Sequence, residues 1–134
     1  MKTIIGFPPN YEKIAQVFDI KDKPVVFTYG DALYDPQGGV ISVDLMVHEL
    51  THHVQQADNP EAWWDKYLED KEFRLAQEIE AYRNQYKYLF STTKDRGRHF
   101  KFGMKLAGDL SSEIYGRIIG KLEAYSKITA WKAS

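Results

Sequence analysis

The 134-residue sequence contains no cysteine, which excludes a disulfide-stabilised scaffold, a Cys-ligated zinc finger and a cysteine nucleophile. It also lacks a run of about 18 apolar residues, the length that a membrane-spanning helix needs. Its N-terminus lacks the apolar core of about 7–15 residues that a secretion signal carries. We therefore expect a cytoplasmic protein with no membrane partner. Any metal site must use His, Asp and Glu, and the chain has four histidines.

The sequence also has no large excess of charge of either sign, because its formal net charge is −1. The charges are nevertheless unevenly distributed along the chain. Residues 1–82 carry a net charge of −8 and residues 83–134 carry +7. We expect the two parts to complement each other within one fold; the alternative is that the basic part binds an acidic partner. The length, with no internal repeat and no linker, predicts a single domain over residues 1–134.

Two short segments rich in β-branched residues predict a small antiparallel sheet. Residues 25–29 are Val, Val, Phe, Thr and Tyr, and residues 40–43 are Val, Ile, Ser and Val. Both compositions favour strands. Between them, residues 35–39 contain Asp, Pro and two glycines, which favour a turn. We expect the two strands to pair with each other.

Helical patterns occupy most of the remaining chain, so we predict an α+β fold whose second part is mainly helical. The predicted helices cover residues 10–19 after an Asn10 N-cap, residues 44–57 after an Asp44 N-cap, a segment that starts at Asn59-Pro60, and residues 71–91. Residues 96–98 are expected to interrupt the helices. The helical pattern then resumes from about residue 99 to the end of the chain, with breaks near residues 111–112 and at Gly120.

The HELTH segment at residues 48–52 matches the HExxH pattern and lies on a predicted helix that follows a predicted strand. His48 and His52 are four residues apart, so on a helix both can reach one ion. Glu49 lies about 100° around the helix from His48, where it can take a proton from a metal-activated water without binding the ion. His53 points about 140° away from His48 and is excluded as a ligand. A solvated or buried histidine pair is the alternative interpretation.

A catalytic zinc ion needs a third protein ligand, and the predicted helix at residues 71–91 offers two glutamates. The helical period places Glu78 on an apolar stripe and Glu80 on the opposite, polar face. An isolated buried carboxylate is costly, and a metal ion would compensate it. We therefore expect Glu78 to join His48 and His52 as a ligand, and Glu80 to face solvent. A buried pair between Glu78 and an Arg or Tyr side chain is the alternative.

This pattern resembles the gluzincin class of zinc metallopeptidases, in which two motif histidines and a glutamate of a later E-x-x-A element bind one zinc ion. Here that element runs from Glu78 to Ala81, and the resemblance implies that Glu49 is the general base. The string HELTHHVQQ at residues 48–56 is also similar to the HELxHxxQQ signature of short predicted metallopeptidases from bacteria and their phages. The implied fold is zincin-like, with an antiparallel sheet whose edge strand lies beside the active-site helix.

The resemblance covers about residues 25–90 and leaves residues 95–134 as a helical C-terminal part of unknown role. The sequence departs from many gluzincins at Tyr82, because those enzymes carry Asp or Asn after the E-x-x-A element to support a zinc histidine. We expect another residue to give that support. The resemblance also implies a side chain that stabilises the oxyanion of peptide hydrolysis, for which the candidates are Tyr82, His99 and Tyr115.

We therefore expect a minimal metallopeptidase that uses one Zn²⁺ ion, with Glu49 as the general base. Its substrate would be a peptide or protein that pairs along the strand before the active-site helix. The alternative is a non-catalytic regulatory or interaction protein with a zincin fold, which would use its basic C-terminal part to bind a partner. The presence of Glu49 favours the enzyme, because a structural zinc site needs no general base.

Two aromatic segments have less specific interpretations. Residues 94–102 alternate basic and aromatic side chains, as in proteins that bind single-stranded nucleic acid. We expect instead a solvated loop with inward-facing aromatics, so nucleic acid is not an expected partner. The side chains of Trp63, Trp64 and Tyr67 could line a substrate cleft, but we expect them to pack their helix against the core.

Overall fold

The computed structural model describes residues 1–130 and has the expected α+β architecture, with a small sheet before a mainly helical part. The strands are β1 (Lys2–Ile4), β2 (Phe27–Tyr29) and β3 (Ala32–Tyr34). The helices are α1 (Tyr11–Val17), α2 (Val43–Gln56), α3 (Pro60–Glu69), α4 (Lys71–Ser91), α5 (Arg96–Leu110) and α6 (Lys121–Thr129), with a 3₁₀ turn at Glu113–Tyr115. None of the helices within residues 1–130 is long and apolar enough to cross a membrane. The predicted helical continuation over residues 131–134 lies outside the described residues.

The sheet is mixed, which corrects the prediction of an antiparallel pair. Its strand order is β1-β3-β2, with β1 parallel and β2 antiparallel to the central strand β3. Strands β2 and β3 are joined by the two-residue turn Gly30-Asp31, and Gly30 has a φ of +65°, which glycine adopts without steric cost. Strand β2 therefore ends the sheet beside α2.

The strand predicted at residues 40–43 is wrong. Residues 40–42 have no regular structure, and Val43 is the first residue of α2. The local hairpin provides β3 as the partner of β2, and β1 takes the other side of β3. No edge of the central strand is left for residues 40–43, and the side chain of Val40 is fully exposed.

The start of α2 differs by a small shift in the capping residue, whereas the start of α3 is confirmed. The Ser42 hydroxyl, not Asp44, caps α2 by accepting a hydrogen bond from the Leu45 amide at 3.4 Å. For α3, the Asn59 side chain accepts from the Ala62 amide at 3.1 Å, and Pro60 is the first helical residue. Helix α4 occupies the predicted residues 71–91.

Two other predictions about helices are corrected. Asn10 occupies the predicted N-cap position of α1, but its side chain makes no capping hydrogen bond among the described residues, and the helix ends at Val17 rather than at residue 19. Residues 96–98 do not interrupt the helical pattern, because α5 begins at Arg96. The Asp95 carboxylate makes this early start favourable by accepting a hydrogen bond from the Arg98 amide at 3.1 Å.

The apolar core has two parts that meet along α4. The N-terminal cluster joins α1, β2 and α3 through seven buried side chains: Ile14, Phe18, Ile20, Phe27, Trp63, Trp64 and Tyr67. The C-terminal cluster joins α4, α5 and α6 through eight: Tyr82, Tyr86, Leu106, Ala107, Leu110, Ile119, Ala124 and Ile128. The expectation that Trp63, Trp64 and Tyr67 pack against the core is confirmed. The polar residues described next are buried between these two clusters.

Candidate metal centre

Helices α2 and α4 bring two histidines and one glutamate together in the protein interior. The Nε2 atoms of His48 and His52 lie 3.2 Å apart. The Glu78 carboxylate lies 3.2 Å from His48 Nε2 through Oε1 and 3.1 Å from His52 Nε2 through Oε2. All three side chains are buried. His48, His52 and Glu78 therefore form a group that could hold a metal ion.

These separations fit a single tetrahedral ion. With metal–ligand bonds of about 2.0–2.1 Å, neighbouring ligand atoms of a tetrahedral site lie about 3.3–3.4 Å apart. Within the described chain, Glu78 Oε1 is buried and makes no hydrogen bond, although His48 Nε2 is 3.2 Å away. A buried carboxylate oxygen without a hydrogen bond is costly. A cation between the three side chains would compensate for it.

The carboxylate group of Glu49 lies beside this group without joining it. Its side chain is buried, and its Oε2 accepts a weak hydrogen bond from the Thr28 hydroxyl at 3.4 Å. The same hydroxyl lies 3.3 Å from the Glu49 main-chain oxygen. Strand β2 thus fixes the position of Glu49 next to His48, as the helical period predicts for a residue that faces the ion without binding it.

The two glutamates of α4 separate as expected. The Glu78 side chain is buried, and its Oε2 accepts a hydrogen bond from the Tyr67 hydroxyl at 2.7 Å. Glu80 is exposed and accepts a hydrogen bond from the Gln55 side chain at 2.8 Å. Ala81 is completely buried one turn from Glu78, where its methyl group leaves space for the three ligand side chains.

Burial and charge shift the titration of these groups in different directions. Burial opposes ionisation of Glu78, but the neighbouring histidines outweigh burial and hold the pKa of Glu78 far below its ordinary value. Burial opposes protonation of His52, yet the Glu78 carboxylate raises the pKa of His52 to about 9. In Glu49, burial raises the pKa above its ordinary value, and the two histidines only partly offset this. Glu78 is thus an anion, while Glu49 binds a proton more readily than a solvated glutamate.

The support that the sequence left unassigned comes from two glutamines. The Nδ1 atom of His48 lies 2.9 Å from Gln85 Oε1, and the Nδ1 atom of His52 lies 2.8 Å from Gln55 Oε1. Each glutamine binds the imidazole nitrogen that faces away from the three-residue group. Tyr82, at the position where gluzincins carry Asp or Asn, instead packs against His48 in an edge-to-face arrangement, with 4.4 Å between ring centroids.

Two of the three candidate oxyanion donors lie near the group. The hydroxyl oxygens of Tyr82 and Tyr115 are 2.7 Å apart. Burial raises the pKa of both hydroxyls well above their ordinary value, so both retain their protons. Because one hydroxyl donates to the other, one proton of the pair is left to donate elsewhere.

The third candidate, His99, lies in a different part of the molecule. Its Nε2 is 2.7 Å from the Thr93 carbonyl oxygen and 3.1 Å from that of Phe90, and its ring stacks on Phe90. Phe90 is twelve residues after Glu78 on α4, which is about 18 Å along the helix axis. His99 therefore binds main-chain carbonyl groups at and just after the C-terminal end of α4 and lies far from the three-residue group. His53 is also outside the group and donates through Nδ1 to the Gly30 carbonyl at 2.6 Å.

A cleft of about 610 Å³ opens over His48 and Glu49. Its lining includes residues 24–26, which precede β2, and the Tyr82–Tyr115 pair. A second, smaller cavity of about 60 Å³ shares His48 and Glu49 with the cleft and extends into the N-terminal cluster. The three candidate ligand side chains and Glu49 all line this cavity.

The edge of β2 beyond the cleft is occupied by side chains. The Thr28 carbonyl accepts hydrogen bonds from the side chains of Gln56 at 2.8 Å and Trp64 at 2.9 Å. The oxygen of the Gln56 side chain accepts from the Gly30 amide at 2.8 Å. The strand that we expected to pair with a peptide, directly before the active-site helix at residues 40–43, is not formed, so that prediction is wrong. On the β2 side, the residues before Thr28 that line the cleft include Val25 and Val26.

Sequence reasoning missed the polar residues that surround the three candidate ligands. They are Thr28, Gln55, Gln56, Tyr67 and Gln85. The helical period could have indicated two of them. Gln55 is three residues after His52 and Gln85 is seven residues after Glu78, so each lies on the same helix face as a candidate ligand. Thr28 and Tyr67 come from other elements, and their contacts depend on how β2 and α3 pack against α2 and α4.

Comparison with protein-family models, with curated proteins and with solved structures finds no match to this chain. The interpretation of the site therefore depends on its own geometry and chemistry.

Proposed function

We propose that this chain is a zinc-dependent metallopeptidase of the gluzincin type. The observation that supports the proposal most strongly is the buried convergence of His48, His52 and Glu78 at separations of 3.1–3.2 Å. Glu49 lies beside them, and His48 and Glu49 line a cleft of about 610 Å³ that could hold a peptide segment. Two histidines and one glutamate are a donor set that catalytic zinc sites use.

His48, His52 and Glu78 would hold the zinc ion. When bound, zinc supplies a Lewis acid that polarises a peptide carbonyl and makes a water molecule more acidic at neutral pH. Glu49 would accept the proton of the attacking water, because it lines the cleft next to His48 and burial raises the pKa of its carboxyl group. Thr28 holds Glu49 in place on the side of β2.

The substrate would be an extended peptide lying in the cleft against residues Val25 and Val26. The main chain further along β2 is bound to Gln56 and Trp64, so pairing would stop at Thr28. The protonated Tyr82–Tyr115 pair, which also lines the cleft, would donate a hydrogen bond to the oxyanion that forms as the peptide bond is attacked.

The test combines metal analysis with a hydrolysis assay. Purified protein should contain about one zinc ion per chain, and it should hydrolyse unstructured protein substrates. Glu49→Gln should retain zinc and lose hydrolysis, because glutamine keeps the size of the side chain but cannot accept the proton. Equal hydrolysis by Glu49→Gln and the unchanged protein would contradict the proposal. A zinc-loaded protein without hydrolytic activity would instead favour the non-catalytic alternative.

A further inference from the structure

We infer that the two histidine ligands are positioned by matched imidazole–amide–carboxylate chains, in which Gln85 orients His48 and Gln55 orients His52. The inference rests on the metal centre of the proposed function and assigns a role to residues outside the three ligands. In both chains, the glutamine oxygen faces an imidazole Nδ1, and the glutamine nitrogen faces a carboxylate.

The first chain runs from His48 through Gln85 to Asp44. Gln85 Nε2 donates to Asp44 Oδ2 at 2.9 Å, and Gln85 Oε1 lies 2.9 Å from His48 Nδ1. An ionised carboxylate can only accept a hydrogen bond, so it fixes the orientation of the amide. The amide oxygen then requires a proton on Nδ1 of His48. In the neutral imidazole this leaves the lone pair on Nε2, the atom that faces His52 and Glu78.

The second chain reaches the other histidine from the opposite direction. Gln55 Nε2 donates to Glu80 Oε1 at 2.8 Å and to the Gln77 carbonyl at 3.0 Å. Both partners are acceptors, so Gln55 Oε1 must face His52 Nδ1, which lies 2.8 Å away. Glu80, which is not a ligand, thereby becomes the outer end of a chain that directs His52 Nε2 toward the ion.

The amide between the imidazole and the carboxylate has an electrostatic consequence. A carboxylate in direct contact with a ligating histidine raises the basicity of that ligand. Here the amides carry no charge, and Asp44 and Glu80 stand one side chain further from the ion. Each histidine would thus be oriented for a bound ion, while its basicity would be raised less than by a carboxylate in direct contact.

Cobalt binding tests this inference without an activity assay. Metal-free protein is titrated with Co²⁺ and followed by visible absorption, and the ring N–H signals of the coordinating histidines are observed by proton NMR in H₂O and D₂O. Gln85→Leu should weaken Co²⁺ binding by about 10–100-fold and broaden the His48 N–H signal through solvent exchange. Gln55→Leu should do the same for His52. Gln16→Leu, on the exposed face of α1, is the matched control and should change neither readout.

A charge swap separates positioning from packing. The double variant Asp44→Asn/Gln85→Glu keeps both hydrogen bonds of the first chain, because the new carboxylate accepts from His48 and the new amide donates to that carboxylate. It should bind Co²⁺ at least as tightly as the unchanged protein and restore the protected His48 N–H signal. Unchanged affinity and signals in both single leucine variants would overturn the inference while leaving the metal centre intact. Failure of the unchanged protein to bind Co²⁺ or Zn²⁺ would overturn the proposed function itself.

Discussion

Histidine side chains of neighbouring helices are buried against α4 at two places, near Glu78 in its N-terminal half and at its C-terminal end, which we call its first and second ends. Near Glu78, the imidazoles of His48 and His52 are buried, and their Nε2 atoms converge with a carboxylate oxygen that has no hydrogen bond within residues 1–130. Near the C-terminal end, His99 is also buried beside an aromatic ring, but its Nε2 is already bound to the carbonyls of Thr93 and Phe90. The comparison teaches that a buried histidine indicates a metal site only when its nitrogen is still available and other donors converge on it.

The largest effect should come from removing the carboxylate ligand at the first end. Glu78→Ala should weaken zinc binding by more than the ~100-fold that follows loss of an outer hydrogen-bond partner, because an ion-binding atom is lost. Glu80→Ala should weaken zinc binding far less than Glu78→Ala does, since the Glu80 side chain supports Gln55 and does not itself reach the ion. Elemental analysis after dialysis against a weak chelator measures both. The reverse order of the two variants would show that Glu80 is the third ligand.

The next effect concerns chemistry rather than binding. Glu49→Gln should lower peptide hydrolysis by at least ~10²-fold, the contribution of a positioned general base, while zinc content and thermal unfolding stay the same. The assay uses a fluorogenic protein substrate with enzyme purified alongside the unchanged chain. Gln16→Ala, at an exposed position of α1 outside the cleft lining, serves as the control and should keep full activity.

A smaller effect is expected from the tyrosine pair on the cleft wall. Tyr115→Phe should lower hydrolysis by about tenfold, less than the ~10²–10³-fold typical of a lost oxyanion donor, because the neighbouring Tyr82 hydroxyl can donate in its place. The double variant with Tyr82→Phe should lower it further. Both variants should show the loss in kcat rather than in KM. Full activity in the double variant would remove these hydroxyls from the mechanism.

At the second end of α4, substitution should alter stability and leave the metal centre unchanged. His99→Ala removes the contacts with the Thr93 and Phe90 carbonyls and the stacked ring, so it should lower the free energy of unfolding by about 1–2 kcal/mol. Denaturant unfolding measures this loss. Zinc content and hydrolysis under native conditions should not change. A loss of metal in His99→Ala would contradict the separation of the two ends.

The smallest expected effect is nucleic-acid binding by the basic side chains that follow the second end of α4. The structure corrects one expectation here, because Phe100 is 55% exposed and not turned inward. We still expect no binding of single-stranded DNA or RNA at physiological salt, since the cations are few and spread along one helix turn. Mobility-shift titrations at low and physiological salt check this. Micromolar binding that is lost when Arg96, Arg98 and Lys101 become alanine would promote the alternative function.

The predictability of each part follows from the range of the interactions that form it. The starts of α3 and α4, and the separation of Glu78 from Glu80, depend on residues within a turn or two, and the sequence predicts them correctly. The sheet depends on pairing between β1 and β3, which are about thirty residues apart, and its composition favoured the wrong partner for β2.

The candidate site divides in the same way. The three ligand side chains lie on two helices whose periodicity is visible in the sequence, so their convergence could be expected. The pairing of His48 with Gln85 depends on how α2 crosses α4, and that of Glu49 with Thr28 depends on β2. No sequence pattern fixes these packing angles, which is why the support for the ligands was the part that sequence reasoning missed.

The contact between Gln56 and β2 has a consequence for the behaviour of the protein in concentrated solution. An edge strand with free amide and carbonyl groups is a template on which a second molecule can add a strand, and such additions lead to aggregates. The Gln56 amide fills the positions at Thr28 and Gly30 that an incoming strand would use, and it does so from the same chain. The Gln56 side chain thus blocks strand addition at the outer edge of β2. The short edge beside the open cleft can therefore remain without promoting self-association.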